Sequence, residues 1–275
     1  SLTLAKSLVN QKIYVDVLFS KKTYSVNKTR TIGISKSNVE FFNKKIINIE
    51  KIIYKLNKIE IYSDNLKKQK LINFGNNDGH LFSIVKNYKL QKILEKNLSQ
   101  SKYFRKISYK KKLKCYNDYD LVFNTDYNHP ITKKYFNKKI EKKYNSFAYT
   151  TILGHQRISN NVAVQIFTKN GPLAFLPVSD YETSVVYSIK NYLKSKKEIN
   201  DLIKNYNPKY NLEKINKIDS FELKGLSLRS YFHKNILAFG DLLHRIHPLA
   251  GQGFNMTIRD IKILNHITQN KIDLG

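Results

Sequence analysis

Three observations predict an α/β fold in which a βαβ-type part is interleaved with a separate, mainly antiparallel sheet. A stretch of helical apolar spacing, "LTLAKSLVN" (2–10), runs directly into a β-rich segment, "KIYVDVLF" (12–19), as the second half of a βαβ unit does. Four apolar runs between 146 and 190 are separated only by turn signals, the pattern of antiparallel strands. Near the end, the short buried strand "NILAFGD" (235–241) leads through a glycine-rich bridge into a helix.

Each element has its own reason. In the first helix Leu2, Leu4, Ala5, Leu8 and Val9 share one face. The partner strand of that βαβ unit, with its turn, is expected upstream of Ser1. The only methionine is Met256, and the chain reads as an internal fragment of a longer protein. "TRTIGISKSNVEFFNKK" (29–45) is expected to be a loop that becomes helix near Ser35, and 46–75 to hold two or three short strands. "IVKNYKLQKILEKNL" (84–98) is expected to be a helix, on the spacing of Leu90, Ile93, Leu94 and Leu98. "YDLVFNTD" (119–126) is an apolar strand ending in a polar turn. The antiparallel set is "SFAYTTIL", "VAVQIFT", "LAFLPV" and "TSVVYSI", punctuated by "KNGP" and "SD". A helix over 196–206, a strand over 221–232 and a helix over 255–267 complete the series.

With 275 residues the chain can bury a sizeable core, as one large domain or two smaller ones. No run of about 20 apolar residues, the length that crosses a bilayer, is present. The single cysteine, Cys115, excludes an internal disulfide and a cysteine-rich zinc site, and a reducing, cytoplasmic setting is expected. Net charge is +28, but lysines outnumber arginines forty-three to six and are scattered. Lysine, asparagine and isoleucine codons are AT-rich, so genome bias accounts for the charge without a nucleic-acid partner, which would favour clustered arginine. Peripheral attraction to the inner face of an anionic membrane fits better, at about 1 kcal/mol per basic residue near the surface.

"GDLLHRIHPLAGQGFN" (240–255) departs from this background, with three glycines, a proline, two histidines and an aspartate in one stretch. Glycines let backbone N–H groups approach a ligand, and the helix that follows offers unpaired donors and a partial positive charge. Such a corner suits an anionic or electron-rich ring edge. Asp241, at the carboxyl end of a strand, is placed to accept hydrogen bonds from sugar hydroxyls. Two other readings stay open. "GQG" is also compatible with an ordinary tight turn. Asp241, His244 and His247 have a metal-ligand spacing, although Pro248 disfavours helix there and no further ligand cluster completes the set.

The run "GDLLHRIHPLAGQGFNMTIRD" resembles the second flavin-binding motif of class A FAD-dependent aromatic hydroxylases, within them the ubiquinone-biosynthesis hydroxylases related to para-hydroxybenzoate hydroxylase. The match is carried by Gly240, Asp241, His244, His247, Pro248, Gly251, Gln252, Gly253, Asn255, Arg259 and Asp260. "TRTIGIS" is similar to the segment whose arginine lies along FAD, here Arg30. "VKNYKLQKILEKNL" is similar to the helix that opens with a polar residue near the pyrophosphate, here Asn87. "TDYNHPITKK" is similar to the family's Asp-Gly motif. It keeps Asp126, but Tyr127, Pro130 and Lys133 replace glycine, a small residue and arginine, and tyrosine takes a positive φ less freely than glycine. The family's ribose-holding glutamate is replaced by Phe19 or Ser20.

The resemblance implies an FAD-binding dinucleotide fold over 1–45, 81–134 and 233–275, and an interleaved, mainly antiparallel substrate domain over 46–80 and 135–232. It also implies FAD as cofactor, NADH or NADPH as reductant, and O2 and an apolar, polyprenylated phenol as substrates, with other quinone-biosynthesis proteins as partners. Arg30, Asn87, Asp126, Gly240, Asp241, Pro248, Gly251, Gln252, Gly253 and Asn255 are the expected cofactor contacts. His247 is the candidate beside the reacting atoms. Two other functions stay open: a flavin hydroxylase or reductase for another aromatic compound, and a non-catalytic relative serving as a partner subunit.

Overall fold

A computed structural model of the chain describes residues 1–19, 28–64, 69–75, 80–108, 116–190, 195–245 and 252–269. The first helix, α1 (Leu2–Val9), leads to β1 (Val15–Phe19), and β2 (Thr31–Ser35) leads to α2 (Lys36–Phe41), which continues as a π-helical turn to Ile46. After β3 (Ile53–Leu56), β4 (Lys58–Ser63) and β5 (Lys70–Gly75), strand β6 (Phe82–Lys86) precedes α3 (Asn87–Ser99) and β7 (Phe104–Ser108). β8 (Val122–Asn124) and α4 (Pro130–Tyr135) lead to the long β9 (Lys139–His155). β10 (Val162–Thr168), β11 (Gly171–Pro177), β12 (Glu182–Lys190), α5 (Lys196–Asn205), β13 (Leu212–Ile215) and β14 (Asp219–Leu228) follow. The described chain closes with β15 (Phe232–His233), β16 (Ile236–Ala238) and α6 (Gln252–Gln269).

The expected α/β organisation is present. β1 pairs with β7 in parallel, and β16 pairs with β8 in parallel. The large sheet runs β13-β9-β12-β11-β10-β4-β5, with β14 also on β9. All its pairings are antiparallel except β10 with β4. A fourth sheet, β2-β6-β3, is antiparallel.

The alternating side chains of the large sheet divide its two faces. Tyr149, Leu153, Val185, Tyr187 and Phe175 form one core with Ile199 and Ile203 of α5. The opposite face carries Ala163 and Leu176, which pack against Leu56 and Ile84 of the β2-β6-β3 sheet. Side-chain bonds join the same two sheets. Thr31 and Ser184 share a hydroxyl–hydroxyl bond at 2.9 Å, Lys86 donates to Glu182 at 2.6 Å, and the Thr29 hydroxyl donates to Asp219 at 3.0 Å. A second core gathers α1, α2, α3 and α6 around Ile34, Phe42, Ile49 and Val85, each almost fully buried. Each such side chain contributes roughly 1.5–3 kcal/mol.

Three local expectations are corrected. Thr31–Ser35, expected as loop, is a strand, because Ile32 and Ile34 alternate with Thr31, Gly33 and Ser35 in register with β6. That register needs Gly33, where a Cβ would lie 2.2 Å from the Phe82 ring. The helix expected over 84–98 begins only at Asn87; Phe82–Lys86 before it is strand, since Ser83, Ile84 and Val85 are buried between β2 and β3. The strand expected over 119–126 is confined to Val122–Asn124, because residues 116–118 form a 3-10 turn and Asp126 opens another turn.

Candidate functional site

The parallel pairing of β16 with β8 places Ala238 beside Asn124, so both strands end at the same edge. Beyond them stand Asp241 and Asp126, both exposed. Chain direction reverses at Gly240, whose φ of +62° lies in the left-handed region that favours glycine. Its carbonyl accepts from the N–H groups of Leu243 at 3.0 Å and His244 at 2.8 Å, closing a 3-10 turn that leaves the Asp241 carboxylate outside. Asp126 is partly used locally: its Oδ1 accepts from the Asn128 N–H at 2.9 Å.

Tyr127 does not adopt the left-handed conformation expected of a glycine-bearing turn, because its φ is not positive. Its ring instead packs under two cations, with the Lys139 ammonium 4.3 Å and the Arg245 guanidinium 5.4 Å from the centroid, and its hydroxyl meets Glu141. Tyrosine therefore occupies this turn without backbone strain and fixes Arg245 at one end of the 246–251 segment.

The other end is α6. Gln252 and Gly253 form its first turn, where backbone N–H groups lack intrahelical acceptors. The Asn255 side chain joins helix to sheet. Its Oδ1 accepts from the Ser35 N–H at 3.0 Å and the Asn38 amide at 2.8 Å, and its Nδ2 donates to the Gly33 carbonyl at 2.9 Å. His244 and Asp260 are 2.5 Å apart, fastening the Gly-Asp turn to the third turn of the helix. The expected contacts His247, Pro248 and Gly251 lie outside the described residues.

Arg30 and Asn87 meet, since the Asn87 N–H donates to the Arg30 carbonyl at 3.0 Å where β2 and β6 end together. This leaves the exposed Arg30 side chain and the first turn of α3 side by side. Two open clefts flank the region. One, of about 450 Å³, is lined by Ser35, Ser37, Asn38, Asn255, Arg259, Lys262 and Ile263. The other, of about 510 Å³, lies between α3 and the β1-β7 pair, where the Lys106 ammonium sits 4.1 Å over the Phe19 ring. Among the described residues no group of three or more His, Cys, Asp or Glu side chains is arranged to hold a metal ion.

Sequence reasoning missed the ties that hold the sheets together, Thr29–Asp219, Thr31–Ser184 and Lys86–Glu182. Their only signal was polar residues at inward positions of strands, and in the sequence those resemble ordinary solvent-facing alternation. The Tyr127–Arg245 contact joins residues far apart in the chain and had no local signal.

No protein-family model matches the sequence. Among curated relatives, the chain is 25% identical over 187 residues to the ubiquinone biosynthesis monooxygenase COQ6 of Drosophila melanogaster, covering 53% of this chain and 39% of the relative. It is 30% identical over 118 residues to the 3-demethoxyubiquinol 3-hydroxylase of Escherichia coli K12, covering 40% of this chain and 30% of the relative. The chain thus spans less than half the length of the curated relatives it matches. Among solved structures, PqsL, a probable FAD-dependent monooxygenase from Pseudomonas aeruginosa, superposes with a TM-score of 0.75 at 13% identity, covering 99% of this chain and 85% of that one. The homologues are ubiquinone-biosynthesis monooxygenases, and the fold is that of FAD-dependent monooxygenases.

Proposed function

We propose that this chain is the cofactor- and substrate-contacting part of a flavoprotein that hydroxylates the aromatic ring of a polyprenylated phenol in ubiquinone biosynthesis, using FAD, NADH or NADPH, and O2. The observation that carries the reading is the corner after β16: Gly240 in the left-handed conformation, the exposed Asp241, and a helix beginning at Gln252 with its donors free of intrahelical partners. These groups suit FAD. A carboxylate at a strand's carboxyl end accepts from sugar hydroxyls, Arg30 and the first turn of α3 complement the negative pyrophosphate, and the start of α6 favours negative charge at the pyrimidine edge.

FAD, held by Arg30, Asp241 and the helix starts, would supply the redox chemistry between reduced nicotinamide, O2 and the ring. The protein's own part is to bind and orient. Asp241 grips the sugar chain, and the backbone around residues 251–255 stabilises charge at the flavin edge. We assign Pro248 and His247, which lie outside the described residues, to the reacting face on the motif resemblance alone. The face of the large sheet towards β2 presents Ala148, Ala174 and Val186, small apolar side chains that keep water from the reacting ring and leave room for an apolar substrate. In this reading residues 1–45, 81–134 and 233–275 serve FAD, and 46–80 and 135–232 serve the substrate.

The test is turnover of the purified protein with FAD, reduced nicotinamide, O2 and a short-chain polyprenyl phenol. Product carrying one added oxygen on the ring supports the assignment. Nicotinamide oxidation that yields only peroxide with every phenol tried contradicts it.

A further inference from the structure

We propose that the β15–β16 hairpin, residues 231–237, is a docking surface for an anionic lipid bilayer. Tyr231 and Phe232 are 55% and 65% exposed. Large apolar side chains gathered in water mark a surface that meets something else. The hairpin is rigid. Phe232 pairs with Leu237 and His233 with Ile236, and the Ala238 N–H donates to the Tyr231 carbonyl at 2.8 Å. The His233 ring stacks on Tyr135 at 4.2 Å, and the Asn235 amide donates to the carbonyls of Tyr116 and Tyr119 at 3.0 and 2.7 Å. Side chains already held in place lose little conformational freedom on contact.

Charge identifies the partner. The N–H of Arg229, at the foot of the hairpin, donates to the Lys138 carbonyl at 2.9 Å, Lys234 lies in the hairpin turn, and Lys133 and Lys134 precede the Tyr135 ring that stacks on His233. Among the described residues none of these five cations is ion-paired with a carboxylate. The carboxylates on the adjoining turn are Asp118 and Asp120, so the patch stays net positive. Another exposed apolar surface, Leu71, Ile72 and Phe74 of β5, differs in this respect: among the described residues Lys58 and Lys70, on β4 and β5, both sit 2.8 Å from Glu60. An apolar, aromatic tip ringed by unpaired cations matches the headgroup region of an anionic membrane, where rings enter the interface and cations meet phosphate.

The sequence contains no tryptophan, so Phe232→Trp places a single emission reporter in the hairpin. With vesicles of phosphatidylcholine and phosphatidylglycerol its emission is expected to shift to shorter wavelength and to be quenched by acyl-chain-brominated lipid, and with pure phosphatidylcholine to stay unchanged. Phe74→Trp is expected to show no shift with either. Replacing Tyr231 and Phe232 together by serine is expected to weaken co-sedimentation with the anionic vesicles by about tenfold at fixed salt. Sedimentation without any shift at position 232 would overturn the proposal, because scattered charge alone would then hold the protein. So would failure to bind anionic vesicles, or an equal shift with a single-stranded oligonucleotide that displaces the vesicles. The tryptophan reporter decides the matter even if the double-serine protein does not fold.

Discussion

Asn255 shows how a motif residue serves structure. Its side chain bonds Ser35, Asn38 and the Gly33 carbonyl, so it sets the distance between β2 and the start of α6 whatever its backbone N–H does. At about 0.5–1.5 kcal/mol for each hydrogen bond, Asn255→Ala should cost roughly 2–4 kcal/mol and lower the thermal midpoint measured by circular dichroism. An unchanged midpoint would mean these three bonds carry no net stability. His244 and Asp260 act in a similar way, because their contact fixes the Gly-Asp turn against the helix. Both pairings are consistent with the spacing of the motif. The sequence shows that these residue types recur together, and only the folded chain shows which of them face each other.

At the scale of elements, Glu60 on β4 has a defined pH signature. Burial acts to raise its pKa, but hydrogen bonds from Lys58, Lys70 and Tyr62 outweigh that and hold it down to about 2 from an ordinary 4.5. A carboxylate depressed in this way adds stability that is fully present above pH 4.5 and is lost as pH falls through about 2. Glu60→Gln should therefore flatten the acid arm of the stability–pH curve in that window, with hydrogen exchange at β5 reporting the change first. An unaltered acid arm would exclude this role. The elements that could be read from the sequence were those with uniform periodicity: α1, α3, α6, the four strands β9 to β12, and α5. For α5 the Ser195–Glu198 capping box is a local signal that the structure realises in full. The misread stretches had mixed signals. β2 places a glycine between its isoleucines, and β6 runs without a break into α3.

At the scale of the whole molecule, the antiparallel β2-β6-β3 sheet, the large sheet and α6 meet at β2. Thr29 and Thr31 bond to the large sheet there, while Asn255 bonds to the β2 backbone from α6. The start of α6 and the face of the large sheet towards β2 are thus tied to one strand, and under the proposed function that arrangement would keep a planar cofactor and a ring substrate in fixed register. The candidate site was legible from the sequence to the extent that its donors and acceptors are contiguous in 240–255. The Arg30–Asn87 contact depends on the pairing of β2 with β6 and was not legible from spacing. The account rests on Asp241 gripping a flavin. The most direct measurement is the visible absorption spectrum of the purified protein after titration with FAD, compared with Asp241→Ala of matched circular dichroism. The expected result is saturable, protein-bound flavin in the parent and its loss in the variant. Equal flavin binding by both proteins, or none by the parent, would contradict it.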